Sequence, residues 1–289
     1  MPQVNYSVLT YIFNGDEYLR DVPKEDSVEY VCVTDNPKLQ HKDWKVIVDE
    51  DLAGLDPLYA SFYVRYHPFK YCKGNVCIRI DGSIKIKESL LPIFEEFDSS
   101  GYDVCVMTNS RATSIEKELF FWMGSPYSEV KKTQRELYKN LGVDTYSQGC
   151  IQSPISITRN TDICNFCDRV CWDFIDKLST KDRTMRPSQV AMTVALHLTE
   201  GLKIMFVDES LIQSNVMQWC KHGSEAYRRS MCNVTHDSFF GKPIKTHQFN
   251  GVHSINDKFQ YATETRKYSF NPVDIKKFLT SRQNMCSNK

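Results

Sequence analysis

The sequence predicts an α/β fold in which helices pack on a mostly parallel sheet. Over roughly the first 210 residues, short runs with β-branched residues at alternate positions take turns with segments of helical apolar spacing, the order a parallel sheet needs. One run, Asn75-Val76-Cys77-Ile78-Arg79-Ile80-Asp81-Gly82-Ser83-Ile84-Lys85-Ile86, is central: it meets a bend at Asp81-Gly82-Ser83 and resumes. A chain of 289 residues suffices for one large domain with additions or two small ones.

The elements follow in order. Tyr6 to Phe13 reads as a buried first strand, ended by the turn signal Asn14-Gly15-Asp16. Val28 to Thr34 is a second strand, stopped by Asp35-Asn36-Pro37, and Trp44 to Val48 a third. Between Leu55 and Tyr71 the aromatics at 59, 62, 63, 66 and 69 fall near helical spacing, with Arg65 and Lys70 among them. Ser89 to Ser99 is a helix with Ser89 as N-cap. Tyr102 to Met107 is a strand, and Ser114 to Met123 and Ser128 to Leu141 are helices. Ile151 to Thr158 is a strand, Asp162 to Leu178 and Ser188 to Thr199 are helices, and Lys203 to Val207 closes the series as a strand. The expected division is 1–218 for the sheet domain and 219–289 for a loop-rich segment packed on it, with a basic tail from Arg266 to Lys289.

Composition narrows the classes. Lys plus Arg and Asp plus Glu each number 36, a net charge of zero, whereas proteins that hold nucleic acid through phosphates carry a basic excess. No nucleic-acid partner is expected. No stretch reaches the ~20 apolar residues of a membrane span, and the amino terminus lacks a signal pattern. A cytoplasmic location is therefore expected, with at most peripheral membrane contact through the basic tail. Eleven cysteines without a paired framework then behave as small hydrophobes.

Cys164-x-x-Cys167-x-x-x-Cys171 resembles a metal motif, but its spacing is one stripe of a helix and no second Cys-x-x-Cys exists. A core stripe is the expectation; a metal cluster is the alternative. His-Glu-x-x-His, Gly-x-Ser-x-Gly, phosphate-loop and Gly-x-Gly-x-x-Gly patterns are all absent. What remains is a set of strands ending in polar residues. Asp81 ends the central one, where open α/β sheets collect ligands; the same Asp-Gly pair also reads as a plain turn. Polar strand ends, a cationic helix and a carboxylate would suit a nucleoside diphosphate.

Taken in order, Tyr11-x-Phe13-x-Gly15-Asp16, Tyr30-x-Cys32-x-Thr34-Asp35-Asn36-Pro37, Trp44, Arg65 with Lys70, and Ile80 through Ile86 resemble the glycosyltransferase-like family catalogued as domain of unknown function 616. Arg111 with Glu116, Gly149 followed by Ile155 to Arg159, and Ser188-Gln189 continue the resemblance, which covers roughly residues 5 to 200. It implies the GT-A, Rossmann-like sheet and transfer of a sugar, as by a hexosyltransferase, from a nucleotide-diphosphate-sugar to a glycan or lipid-linked acceptor in surface polysaccharide synthesis. A UDP-sugar is the favoured donor.

Carried over residue by residue, the resemblance puts Thr10, Tyr11, Asn14, Asp35, Asn36, Arg65, Lys70 and Ser83 at the donor. It puts Asp81 and Gln189 at the chemistry, and Asp81 on Mn²⁺ or Mg²⁺. His247, in His247-Gln248-Phe249-Asn250-Gly251, resembles a further metal ligand of related enzymes. Asp208 and Glu209, just past the last strand, are the candidates for the base if the reaction inverts, with Asp208 taken first. Two departures stand out: Ser83 replaces the second Asp of an Asp-x-Asp, and Ser188 replaces the Asp before Gln189. A hydroxyl is a poorer ligand than a carboxylate for a hard cation, and these departures motivate a second expectation, a nucleotide-sugar or glycan-binding module without turnover.

Overall fold

The computed structural model describes residues 4–14, 18–109, 114–123, 135–136, 138–146, 150–177, 188–207, 214 and 216–220. Seven strands form one sheet in the order β3-β2-β1-β4-β7-β6-β8. They are β1 (Tyr6–Ile12), β2 (Val28–Thr34), β3 (Lys45–Val48), β4 (Val76–Ile80), β6 (Val104–Thr108), β7 (Ile151–Arg159) and β8 (Ile204–Val207). All run parallel except β7, which is antiparallel to both its neighbours, β4 and β6. The carboxyl ends of six strands therefore share one edge with the start of β7. A second, two-stranded antiparallel sheet joins β5 (Ile84–Ile86) to β9 (Met217–Trp219). It straddles the boundary expected at 218.

Alternation along the strands divides the core into two layers. Val8 and Ile12 of β1, Tyr30 and Cys32 of β2, and Ile78 and Ile80 of β4 face one side, with Phe94 and Phe97 of α3 (Leu91–Ser100). Leu9, Tyr11, Val31, Val33 and Cys77 face the other, with Ala60 and Val64 of α1 (Pro57–Tyr66). That side continues under β6 and β7, covered by α4 (Ile115–Met123), α5 (Asp162–Asp176) and α6 (Ser188–Leu198). Burying a Phe or Ile of this kind is worth about 1.5–3 kcal/mol, so these faces hold the helices in place.

Local signals explain the helix limits. Asp56 accepts from the Tyr59 amide at 2.9 Å and Pro57 takes the first helical position, which starts α1. The continuous helix expected over 55–71 is broken at His67, because Pro68 bars its predecessor from the helical region; a short turn of helix, α2 (Pro68–Tyr71), follows. Thr161 accepts from the Cys164 amide and opens α5. Cys164, Cys167 and Cys171 are buried in the core beside Val170 and Phe174, as a core stripe should be. Part of the helix expected over 128–141, and all of 221–289, lie outside the described residues.

Candidate functional site

The β4 strand ends in a β-turn: the Ile84 amide donates to the Asp81 carbonyl at 2.9 Å. The Asp81 side chain does not close on its own backbone. Its Oδ1 accepts from the Tyr11 hydroxyl at 2.8 Å and from the Arg65 guanidinium. Oδ2 accepts nothing among the described residues, and the side chain is 33% exposed against 5% for Arg65. Arg65 also donates Nε to the Tyr11 oxygen at 2.7 Å and Nη1 to the Ser153 carbonyl at 2.5 Å. Two elements thus meet on one carboxylate, β1 and the last turn of α1, and the start of β7 holds the Arg65 that reaches it.

The contribution of β7 comes from a bulge. Val106 pairs with Ser156 but Met107 with Gln152, so Ser153, Pro154 and Ile155 drop out of the ladder with β6. The freed carbonyl of Ser153 takes Arg65, and that of Pro154 takes the Asp81 amide at 2.9 Å. Proline has no amide to give to the ladder, which is why the break falls here.

Electrostatics hold Arg65 and Tyr11 in their protonated forms. Burial works against the Arg65 charge, but the Asp81 carboxylate and Tyr11 outweigh it and hold the guanidinium protonated above the ordinary arginine range. Burial pushes the Tyr11 phenol up, Arg65 opposes this and Asp81 reinforces it. The Tyr11 hydroxyl remains a donor to Asp81 at neutral pH.

The other expected residues are spread along the same edge. Asn14 follows β1 with φ of 58°, in the left-handed region that Asn tolerates, and its amide lies 3.2 Å from both oxygens of Asp35 at the end of β2. The Asn36 carboxamide oxygen accepts from the Lys38 amide at 3.0 Å. Thr10 and Ser83 are buried, and the Ser83 carbonyl accepts from the Cys220 amide at 2.8 Å. Lys70 is engaged at the end of β3: its Nζ lies 3.0 Å from Asp49 Oδ2, which also accepts from the Tyr71 hydroxyl at 2.7 Å. Asp208, Glu209 and His247 lie outside the described residues, as do Arg111 and Gly149.

Gln189, in the first turn of α6, meets the end of β6. The Asn109 carboxamide donates to Gln189 Oε1 at 3.3 Å and to buried Glu118 Oε2 at 3.0 Å. Sequence reasoning missed Asn109, Glu118 and the Ser153 carbonyl. Only the last left a signal, the proline inside a strand run. Ser188 is buried, its carbonyl accepting from the Tyr66 hydroxyl at 3.2 Å.

For a divalent cation the turn at the end of β4 offers one open carboxylate oxygen, Asp81 Oδ2, with Oδ1 already occupied and Ser83 fully buried. That does not make a protein cage. It does fit a magnesium-type ion, which binds through one or two carboxylates with substrate phosphates and water supplying the rest. Among the described residues, the atoms that cluster as possible ligands belong instead to Asp21, His41 and Asp43. There His41 Nδ1 accepts from the Asp43 amide at 3.1 Å, and Lys42 lies 3.4 Å from Asp21, so these groups are already engaged with neighbouring polar and charged groups. Cys164, Cys167 and Cys171 form no such grouping. No described helix is long and apolar enough to cross a membrane.

No protein-family model matches the chain, and no curated protein does. Among solved structures it is similar to mouse xyloside xylosyltransferase 1 in its apo form, at 13% identity and a TM-score of 0.43, over 86% of this chain and 99% of that one. It is similar to the galactosyltransferase LgtC in complex with donor and acceptor sugar analogues, at 10% identity and 0.38, over 89% and 95%. It is also similar to CMP:2-keto-3-deoxy-manno-octonic acid synthetase complexed with CTP, at 12% identity and 0.36, over 71% and 89%. These are likenesses of fold.

Proposed function

We propose that this chain is a nucleotide-sugar-dependent glycosyltransferase whose donor lies along the carboxyl edge of β1, β2 and β4. The observation that supports it is the Arg65–Tyr11–Asp81 cluster: a buried cation fastened to a part-exposed carboxylate at a strand end of an open α/β sheet. Arg65, its nitrogens taken by Tyr11, Asp81 and the Ser153 carbonyl, would serve a diphosphate as the cation behind that edge, chiefly by fixing the Asp81 carboxylate in place. Asn14, Asp35 and Asn36 present polar groups for the base and ribose. Gln189, steadied by Asn109, faces the sugar. Asp81 Oδ2, joined by His247, would hold Mn²⁺ or Mg²⁺. Such an ion supplies Lewis-acid stabilisation of charge on the departing diphosphate.

The protein's part is to orient the donor and to keep positive charge in place before the bond breaks. A carboxylate at Asp208 would take the acceptor's proton if the course inverts. The family resemblance, a UDP-sugar donor, a glycan or lipid-linked acceptor and a cytoplasmic setting belong to the same proposal. The buried Ser83, which leaves one carboxylate where an Asp-x-Asp has two, favours a second reading: a sugar-nucleotide-binding module without turnover.

Thermal-shift screening against nucleoside diphosphates and nucleotide-sugars, with and without Mn²⁺, tests the site. A ligand at a hundredfold its Kd stabilises by ~2.7 kcal/mol. The expected result is a shift with one nucleotide-sugar that Asp81→Ala removes, in a variant that still unfolds cooperatively but at a lower unliganded Tm, because Arg65 loses its counter-charge. A shift of equal size in Asp81→Ala would refute the assignment, and binding without turnover of any acceptor would favour the module.

A further inference from the structure

We propose that Arg79 and Asp168, buried behind the site, are a positioning pair that sets Arg65 against Asp81; this rests on the reading of Arg65 as the donor-side cation. Arg79 stands mid-strand in β4, between Ile78 and Ile80, on the face that packs against α1 and α5. Its side chain is 1% exposed and Asp168, on α5, 6%. Nη1 lies 2.6 Å from Asp168 Oδ1, and Nε donates to Ser156 Oγ at 2.9 Å.

The bond that matters is the third. Nη1 also donates to the main-chain carbonyl of Arg65 at 3.1 Å. Arg65 sits in the last turn of α1, where carbonyls have no partner further along the helix and where a cation is favoured. Arg79 therefore caps α1 from the neighbouring strand, at the residue whose side chain reaches Asp81, Tyr11 and Ser153. Asp168 keeps the Arg79 fork turned to that carbonyl.

The pair is an expensive way to fill space. Arg79 Nη2 and Asp168 Oδ2 are both buried without a partner among the described residues, and apolar residues of similar volume commonly replace buried ion pairs without loss of stability. Burial pushes the Asp168 carboxyl up even though Arg79 opposes it. A pair kept at such a site is accounted for by the carbonyl it holds.

The test uses the double variant Arg79→Met/Asp168→Leu, which removes both charges and fills the volume. A second variant, Arg79→Lys, keeps the charge but cannot span Ser156, Asp168 and the Arg65 carbonyl together. Two readouts are taken on the full chain: solvent exchange of the Arg65 Nε–H by ¹⁵N NMR, assigned through Arg65→Lys, and the Kd for UDP. In whichever variant is folded by Tm, Arg65 Nε–H exchange should quicken at least tenfold and the UDP Kd should rise about tenfold. Unchanged Nε–H exchange overturns the proposal, and faster exchange with unchanged UDP affinity overturns its link to the donor. If the wild type binds no UDP, the donor reading is what has failed, and the exchange readout still decides the positioning.

Discussion

Tyr11 holds two charges at once, donating to Asp81 and accepting from Arg65. Tyr11→Phe preserves the ring and deletes both bonds, leaving Arg65 Nε without its acceptor in a buried place. It should cost about 1–3 kcal/mol in urea unfolding and weaken donor binding, since the guanidinium loses one of its anchors. Arg65→Lys should weaken donor binding at least tenfold in calorimetry, because an ammonium cannot serve Tyr11, Asp81 and the Ser153 carbonyl together. The metal makes a further prediction at this scale. With one open carboxylate oxygen at Asp81, and His247 as the one further ligand proposed, the site should bind Mn²⁺ weakly without ligand and much more tightly once a nucleoside diphosphate supplies the remaining ligands, a gain that Asp81→Ala should abolish in calorimetry. Of these residues, the sequence marked Tyr11, Arg65 and Asp81. It could not mark the Ser153 carbonyl, because a main-chain group becomes a ligand only when the strand that carries it breaks register. Arg79 was legible in part: a charge inside an apolar strand needs a buried counter-charge, but nothing local says that it is Asp168.

Among the elements, those with a strong internal period were the readable ones. Val28–Thr34 has the limits its alternation gives, and α5 begins where Thr161 and Asp162 place it. Strand direction is another matter: β7 has the same alternating pattern as its neighbours and runs against them. Nor could the three residues of β9, which straddle the boundary expected at 218, be seen, since their order comes from β5. The start of α3 shows the same limit. The N-cap position falls on Leu90 and not on the expected Ser89; Ser89 Oγ accepts from the Leu91 amide at 3.2 Å from one residue further out, and the Glu25 carboxylate closes this end, 3.2 Å from the Leu90 amide and 3.3 Å from that of Leu91. The helix begins with its donors answered from across the fold. Glu25→Gln should lower stability by about 0.5–1 kcal/mol, read as a drop in the urea midpoint at unchanged slope, because a carboxylate favours a helix amino end.

At the scale of the molecule, one contribution to pH dependence comes from His67, where α1 meets α2. Its ring stacks on Tyr63 at 4.2 Å and its Nδ1 lies 2.8 Å from the Tyr63 carbonyl. Burial lowers its pKa; the Tyr63 carbonyl and Asp168 oppose this without reversing it. The unfolded chain then takes up a proton near pH 6.5 before the folded one does. Stability is whole above that pH and falls as pH drops from about 6.5 towards the lower folded value. His67→Gln should flatten Tm against pH between about 5 and 7; an unaltered profile would assign the pH dependence to other groups. Asp49 acts in a lower range: burial would raise it, but Tyr71 and Lys70 bring it below the usual carboxylate value. Its share of stability is present above about pH 4 and is lost on further acidification. The cluster at Asp81 also sets an order of events in time. Its contacts join residues 54, 70 and 88 positions apart, and the turn after Asp81 is tied at Ser83 to Cys220 near the end of the described chain. Closures of that length slow folding, whereas helices and the neighbouring strands β1 and β2 can form from nearer pieces. In a refolding experiment, helical signal should therefore return first and ligand binding last, and a nascent chain released before Met217 should hold much of the sheet without a settled site.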